Sequence, residues 1–153
     1  MPEAKYVLII DDDTINNFVC SRIIKLSGLT DKVECVLSAD DGMAILENNI
    51  SNADGLPDLV FLDINMPGKN GWDFLDKFKE MKPKLPKRVL IFMLSSSLYR
   101  EDVEHSRVYE EVSDYITKPL AVERLRELKE KYFSSLFYAG TQTTHRSALG
   151  KHC

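Results

Sequence analysis

Five short apolar runs, separated by longer segments with helical spacing, constrain the fold of this chain more than any other feature. Such alternation is typical of βα units built around a parallel sheet. The runs at residues 7–10 and 89–94 are apolar at every position, as expected for central strands that helices cover on both faces. The five predicted strands are residues 6–10, 32–37, 59–62, 89–94 and 113–116.

The segments between these runs predict helices. In the first segment, Ile15, Val19, Ile23 and Leu26 recur at three- and four-residue spacing, and Gly28 follows as a left-handed stop. Apolar residues mark four further helices: Ile45 and Leu46; Trp72, Leu75, Phe78 and Met81; Val103 and Val108; and Val122, Leu125, Leu128 and Tyr132. The chain is therefore predicted to be an α/β protein with a central parallel sheet.

The composition is that of an ordinary globular domain. Hydrophobic residues make up 44% and charged residues 29% of the 153 residues, which is too apolar for intrinsic disorder. The net charge of −4 argues against binding nucleic acid through its phosphates. The apolar run at 89–94 is far shorter than the ~20 residues that cross a bilayer, and residues 1–5 lack the apolar core of a signal peptide. We therefore expect a cytoplasmic protein with no membrane or nucleic-acid partner.

The end of the chain differs in composition from the rest. From residue 134 onward there is no Asp or Glu, and Gly, Ser, Thr and Gln are common. We predict one domain at residues 1–133 and a tail at 134–153 that first extends the last helix and is then disordered. Since no second folded domain is predicted, any output is expected in trans. Cys20 and Cys35 are expected to behave as small apolar residues.

Polar side chains follow the predicted strands at the points where the strands end. Asp11 and Asp12 follow the first strand, Asp63 the third, Ser95 the fourth and Lys118 the fifth. In an open parallel sheet, ligands bind outside the carboxyl ends of the strands. We therefore expect carboxylates, a hydroxyl and an ammonium group to converge at this edge. Taken by themselves, Asp11 and Asp12 could equally be caps of the following helix.

This set of side chains indicates metal-assisted phosphoryl transfer. Carboxylates gathered in a cleft repel one another unless a cation is present, and Mg²⁺, or Mn²⁺ in its place, prefers oxygen ligands. Asp12 and Asp63 suit direct ligation, with Asp11 placing a water. An Asp carboxylate can attack phosphorus to give an acyl phosphate, and Asp63, at a strand tip, is expected to be exposed enough to do so. Lys118 and Ser95 would contact the phosphoryl oxygens.

Four segments together resemble the receiver domains of two-component response regulators, in particular single-domain receivers of the chemotaxis type. They are residues 7–13, 58–71, 94–95 and 114–119. Each segment is weak evidence alone, but they occur in the right order and phase over about 130 residues. The resemblance implies a flavodoxin-like, doubly wound (βα)5 fold.

The resemblance also implies roles for individual residues. Asp63 corresponds to the phosphoacceptor, and Asp11 and Asp12 correspond to the acidic pair that binds the metal together with it. The backbone carbonyl of Asn65 corresponds to a further metal ligand. The turn at residues 66–71 is expected to aim that carbonyl, although it is also simply a turn that Pro and Gly favour.

Three more residues correspond to the family's switching machinery. Ser95 matches the switch hydroxyl, Tyr115 the aromatic residue whose rotamer follows it, and Lys118 the lysine that contacts the phosphoryl group. The Lys118–Pro119 bond is expected to be cis, as in relatives. Without this context, Ser95 would be interpreted as a helix cap and Tyr115 as a packing residue.

The resemblance implies a signalling phosphoacceptor that catalyses only its own phosphorylation and dephosphorylation. A sensor histidine kinase or a histidine phosphotransfer protein would donate to Asp63, and the fourth helix, fifth strand and fifth helix would then rearrange to change a protein-binding surface. One alternative is a phosphatase like the haloacid dehalogenases, which carry a second Asp where this chain has Asn65. Another alternative is a binding scaffold that is never phosphorylated. The kinase, the target and the oligomeric state stay open.

Overall fold

The sheet has the five predicted strands, all parallel. The computed structural model describes residues 5–96 and 100–134. The strands are β1 (Val7–Ile10), β2 (Val33–Val36), β3 (Leu59–Leu62), β4 (Leu90–Ser95) and β5 (Val112–Thr117). They lie in the order β2-β1-β3-β4-β5, which is the flavodoxin-like order. The prediction of the fold is confirmed, and no strand bound differs from the predicted one by more than one residue.

Helices connect the strands as predicted. They are α1 (Thr14–Leu26), α2 (Ala39–Glu47), α3 (Gly71–Met81), α4 (Arg100–Val108) and α5 (Val122–Lys129), and a π-helical turn, Glu130–Ser134, continues α5. Gly28 has a φ of +82° and ends α1 as expected. Residues 97–99, which precede α4, and the predicted tail from residue 135 onward lie outside the described residues. No helix of residues 5–96 and 100–134 is long and apolar enough to cross a membrane.

The helices cover both faces of the sheet, and each face has its own core. Strand residues alternate between the two faces: Leu8, Val60 and Ile91 pack with α2 and α3, whereas Ile9 and Phe61 pack with α1 and α5. Full burial of one such side chain stabilises the fold by roughly 1.5–3 kcal/mol. The two cores hold the strand ends in fixed register, which positions the residues that follow them.

The apolar spacing in α1 predicts the helix correctly but not the face that it buries. Ile15 is 75% exposed, Leu26 is 76% exposed, and Val19 is exposed as well. The residues of α1 that are buried are Asn17, Cys20 and Ile24. Cys35 on the edge strand β2, which was expected to behave as a small apolar residue, is also exposed, and so is Val108, one of the two apolar residues that mark α4.

Hydrogen bonds at the start of α1 set its rotation. The Asp13 carboxylate accepts from the backbone N–H groups of Ile15 and Asn16, both at 3.0 Å, and so caps the helix. The buried Asn17 side chain donates to the Asp11 backbone carbonyl at 2.9 Å. Because Asn17 faces inward, residues one and two turns later are buried, and the opposite face is left in solvent.

Candidate functional site

The carboxyl ends of four neighbouring strands bring the predicted site residues to one edge of the sheet. Ile10 and Leu62, the last residues of β1 and β3, are paired in register, so Asp11 and Asp63 follow side by side. The backbone N–H of Asp63 donates to the Ile10 carbonyl at 3.0 Å. At β4 and β5, the backbone N–H of Lys118 donates to the Ser95 carbonyl at 2.8 Å.

Three carboxylates and one ammonium group form the centre of the site. One oxygen from each of Asp11, Asp12 and Asp63 lies within 4.8 Å of the others. The Lys118 Nζ is 2.7 Å from Asp11 Oδ2 and 3.5 Å from Asp63 Oδ1. Asp12 is exposed, whereas Asp11 and Asp63 are only 1% and 6% exposed. Asp63 is therefore much less exposed than its position at a strand tip suggests.

Burial and charge make the ionised form of Asp63 unfavourable. Burial, and then the negative charge of Asp11, raise the pKa of Asp63 to about 6, with a further contribution from Asp12; the nearby Lys118 counteracts this only in part. Burial lowers the pKa of Lys118, but its hydrogen bond to Asp11 and the charge of Asp63 outweigh that effect, so the pKa is raised. The cluster therefore contains more negative charge than Lys118 offsets.

The donor set fits a hard divalent cation. Carboxylate oxygens that lie close together, with a negative charge that the protein does not fully offset, are what Mg²⁺ requires. Asp12 and Asp63 have carboxylate oxygens close enough together to share one ion. Asn65, whose backbone carbonyl the resemblance implies as a further ligand, is exposed at the same end of β3.

The turn after β3 is shaped by two glycines. Gly68 has a φ of +78°, a conformation that favours glycine. A Cβ on Gly71 would lie 2.5 Å from the backbone oxygen of Asp63, so a side chain there could not be accommodated. The N–H of Gly71 donates to the Ile64 carbonyl at 2.8 Å, which closes the turn against the end of β3. The 66–71 turn is thus packed directly on the backbone of Asp63.

The switch residues that the resemblance implies lie on β4, which pairs with β3, and on the edge strand β5, which pairs with β4. Ser95 is fully buried as the last residue of β4, and Tyr115 is half-buried on β5. Ser95 pairs with Thr117 in register, and the Lys118–Pro119 bond that follows is cis, as the resemblance implies. Ser97, which follows Ser95 by two residues, lies outside the described part of the chain.

Sequence reasoning missed two asparagines at this site. Asn16 donates from Nδ2 to Asp11 Oδ2 at 3.0 Å, and Asn17 donates to the Asp11 backbone carbonyl. Their signal in the sequence is two consecutive polar residues in the first turns of α1, where an apolar stripe was expected. The rotation of α1 decides which of its residues reach Asp11, and that rotation is not visible in the apolar spacing.

Comparison with known proteins identifies the family. A model of the response regulator receiver domain matches residues 7–130, and the chain belongs to this family. It is 33% identical over 129 residues to hybrid signal transduction histidine kinase L of Dictyostelium discoideum, covering 82% of this chain and 7% of that protein. It is 31% identical over 128 residues to the DNA-binding transcriptional regulator NtrC of Escherichia coli, covering 84% of this chain and 24% of that protein. The chain thus spans only a small part of these relatives.

Solved structures agree with this assignment. A two-component response regulator from Cytophaga hutchinsonii has a TM-score of 0.76 and 33% identity, covering 85% of this chain and 97% of that one. A response regulator receiver protein from Dyadobacter fermentans has a TM-score of 0.70 and 29% identity, covering 84% of this chain and 98% of that one. The chain is a receiver domain of the two-component signalling type, and neither the family model nor these relatives support the phosphatase or scaffold alternatives.

The raised pKa of Asp63 predicts a pH-dependent affinity for Mg²⁺. Above pH 6 the carboxylate is ionised and ready to bind, whereas below pH 6 a proton competes with the metal, so the affinity should fall by up to about tenfold for each pH unit. Calorimetric Mg²⁺ titrations between about pH 5 and 8 measure this. In Asp63→Asn the dependence near pH 6 should disappear, and an affinity that is constant across this range in the wild type would contradict the assignment.

Proposed function

We propose that this receiver takes a phosphoryl group onto Asp63 from the phosphohistidine of a sensor histidine kinase or a histidine phosphotransfer protein. A carboxylate oxygen of Asp63 attacks the phosphorus, the bond from phosphorus to the imidazole nitrogen breaks, and its electron pair returns to the imidazole. The proposal is supported above all by the position of Asp63 beside two further carboxylates and 3.5 Å from the Lys118 ammonium.

The surrounding residues have distinct proposed roles. Mg²⁺, when bound, offsets the negative charge of the carboxylates and the phosphoryl oxygens. Asp12, Asp63 and the Asn65 carbonyl would hold it directly, and Asp11 would hold one of its waters. Lys118, which contacts Asp63 before the reaction, is positioned to contact the phosphoryl oxygens afterwards, since these become the nearest negative charges.

The signal would then pass to α4 through the switch residues. In this proposal, the Ser95 hydroxyl turns toward the phosphoryl group and Tyr115 follows it, which favours a second position of α4. Such a change is a shift between states that exist already, and the phosphoryl contacts decide which one is populated. The two positions of α4 present different surfaces, and a partner protein that binds one of them more tightly would respond to phosphorylation.

An aromatic stack between α3 and α4 can report this movement. The ring of Trp72, on α3, stacks on His105 of α4 with centroids 4.0 Å apart, and on Tyr109 with centroids 5.8 Å apart. The Tyr109 hydroxyl donates to Asp76 of α3 at 2.8 Å. Trp72 is the only tryptophan of the chain. Its fluorescence is therefore a direct measure of whether α4 stays packed on α3.

The exposed side of α1 is the surface that we propose for contact with the protein donor. Ile15, Phe18 and Val19, named here the α1 apolar patch, are all exposed and begin two residues after the Asp13 cap, next to the carboxylates. Exposure of adjacent apolar side chains to water is unfavourable in free energy, and their burial in a protein interface is favourable. A donor protein that brings its phosphohistidine to Asp63 would therefore contact this patch.

Phe18→Ala should therefore slow transfer from a protein donor by about tenfold, because an aromatic anchor of an interface is lost. Phosphorylation by acetyl phosphate, which needs no docking, should be unchanged. Leu26→Ala is the matched control, since Leu26 is 76% exposed and Phe18 64%, but Leu26 lies at the far end of the same helix. The α1 apolar patch would not be the docking surface if Phe18→Ala and Leu26→Ala slowed transfer equally. The same conclusion would follow if Phe18→Ala slowed phosphorylation equally with the protein donor and with acetyl phosphate.

The proposed function is tested by mixing the wild-type chain with acetyl phosphate and Mg²⁺. Intact mass should increase by one phosphoryl group, and chelation of the metal should prevent the increase. A phosphatase of the haloacid dehalogenase type would instead hydrolyse many equivalents of a phosphoester. Absence of any modification under conditions in which Mg²⁺ binds would contradict the proposal.

A further inference from the structure

We infer that Asn16 is a positioning residue of the phosphoacceptor site, which fixes the Asp11 carboxylate for the Mg²⁺ ion and is itself oriented by the buried thiol of Cys20. The inference rests on the proposed function, because it concerns the same metal site. Neither residue belongs to the acidic cluster, and neither would contact the phosphoryl group directly.

The bonds to Asp11 leave little freedom for its carboxylate. Oδ1 accepts from the backbone N–H of Asp13 at 3.0 Å, and Oδ2 accepts from Asn16 Nδ2 at 3.0 Å and from Lys118 Nζ at 2.7 Å. A carboxylate has roughly four acceptor positions, and these three bonds occupy most of them. What remains, at Oδ1, suits a single further contact, such as a metal-bound water. The protein thus fixes the plane of the carboxylate before the ion arrives.

Asn16 is the member of this set that stays in place when the charges change. Lys118 also contacts Asp63, and its ammonium is expected to move toward the phosphoryl oxygens once these are present. The Asp13 N–H acts on the other oxygen. During phosphorylation, Asn16 is therefore the donor that keeps Oδ2 of Asp11 from rotating.

The chemistry of an amide matches this task. A carboxylate at position 16 would repel Asp11, and a cationic side chain would compete with the metal. A neutral N–H donor avoids both effects. Residues around a metal site are commonly oriented in this way by hydrogen bonds from residues that do not touch the ion, and mutation of such an outer partner typically costs about 10- to 100-fold in metal affinity.

The Cys20 thiol supports the orientation of the Asn16 amide in which the NH₂ group faces Asp11. Its Sγ lies 3.6 Å from Asn16 Oδ1, one helical turn later in α1, and the residue is only 1% exposed. With the thiol donating to the amide oxygen, the NH₂ group points to Asp11. The opposite orientation would place two acceptor oxygens against each other. The rotation of α1 that buries Cys20 therefore also aims Asn16.

The test is the affinity for Mg²⁺ of Asn16→Leu, which has a similar volume and no hydrogen-bonding group. Calorimetric titration without phosphodonor should show Mg²⁺ binding weakened by about 10- to 100-fold. With acetyl phosphate, the Mg²⁺ concentration for half-maximal rate should rise by the same factor, whereas the rate at saturating Mg²⁺ should stay near that of the wild type. Asn48→Leu, an exposed asparagine at the end of α2, is the matched control and should leave both values unchanged.

Two outcomes would overturn the inference: wild-type Mg²⁺ affinity in a folded Asn16→Leu variant, or a lower maximal rate with an unchanged Mg²⁺ requirement. If the Leu variant does not fold, Asn16→Ala gives the same comparison, since Asn16 is only partly buried. Failure of the proposed function is distinguishable, because the wild-type chain would then bind Mg²⁺ without becoming phosphorylated. In that case the calorimetric comparison still decides the role of Asn16.

Discussion

Asp63→Asn should reduce phosphorylation by acetyl phosphate to background, the largest effect that we expect from any single change. The amide of asparagine has almost the same shape as the carboxylate, but it is not a nucleophile toward phosphorus. The measurement is intact mass after incubation with acetyl phosphate and Mg²⁺. Persistent addition of a phosphoryl group to this variant would place the acceptor elsewhere in the chain.

The raised pKa of Asp63 predicts that Asp63→Asn does not weaken the fold. The folded chain holds the proton more tightly than the unfolded chain. The group therefore lowers the stability of the fold as pH rises from about 4, where the carboxyl ionises in the unfolded chain, to about 6, where it ionises in the folded chain, and the full cost remains above that pH. The variant avoids this cost. At pH 7 without Mg²⁺ it should therefore unfold at the same temperature as the wild type or higher, and below about pH 4 the advantage should vanish. A large decrease in the unfolding temperature at pH 7 would show that the ionised carboxylate stabilises the fold.

Lys118→Ala should separate metal binding from the response to phosphorylation. The ammonium is 2.7 Å from Asp11 and 3.5 Å from Asp63, so its removal leaves the cluster more negative, and Mg²⁺ should bind as tightly as before or more tightly. Phosphorylation at saturating Mg²⁺ should nevertheless be about 100- to 1000-fold slower, because the phosphoryl oxygens lose one of their cations. In the molecules that are modified, the fluorescence of Trp72 should change much less than in the wild type.

Lys69→Ala is the matched control for that experiment. Lys69 lies in the turn after β3 and forms a 3.2 Å ion pair with Asp40, but both side chains are largely exposed. Ion pairs of this kind contribute little, so the variant should bind Mg²⁺ and respond as the wild type does. If Lys118→Ala binds Mg²⁺ more weakly than the wild type, the lysine instead holds the carboxylates in the arrangement that the metal needs.

The interpretation of α1 shows where sequence reasoning stops. Its apolar spacing predicts a helix that ends at Gly28, and both predictions are confirmed. The same spacing does not reveal that Asn17 is buried in place of Ile15, because the decisive bond joins Asn17 to a carbonyl of the preceding loop. Apolar residues allow a helix face to be buried, but in α1 the polar contacts formed in the folded state determine which face is buried.

The sequence alone determined the order of strands and helices along the chain and the edge of the sheet at which the acidic residues gather. Strand ends are local properties of the chain, and parallel strands necessarily place them together. Only the tertiary structure decided how buried Asp63 is, how Lys118 divides its contacts between two carboxylates, and which residue of α1 holds Asp11. These properties depend on distances between atoms from separate elements, and such distances exist only once both cores have packed.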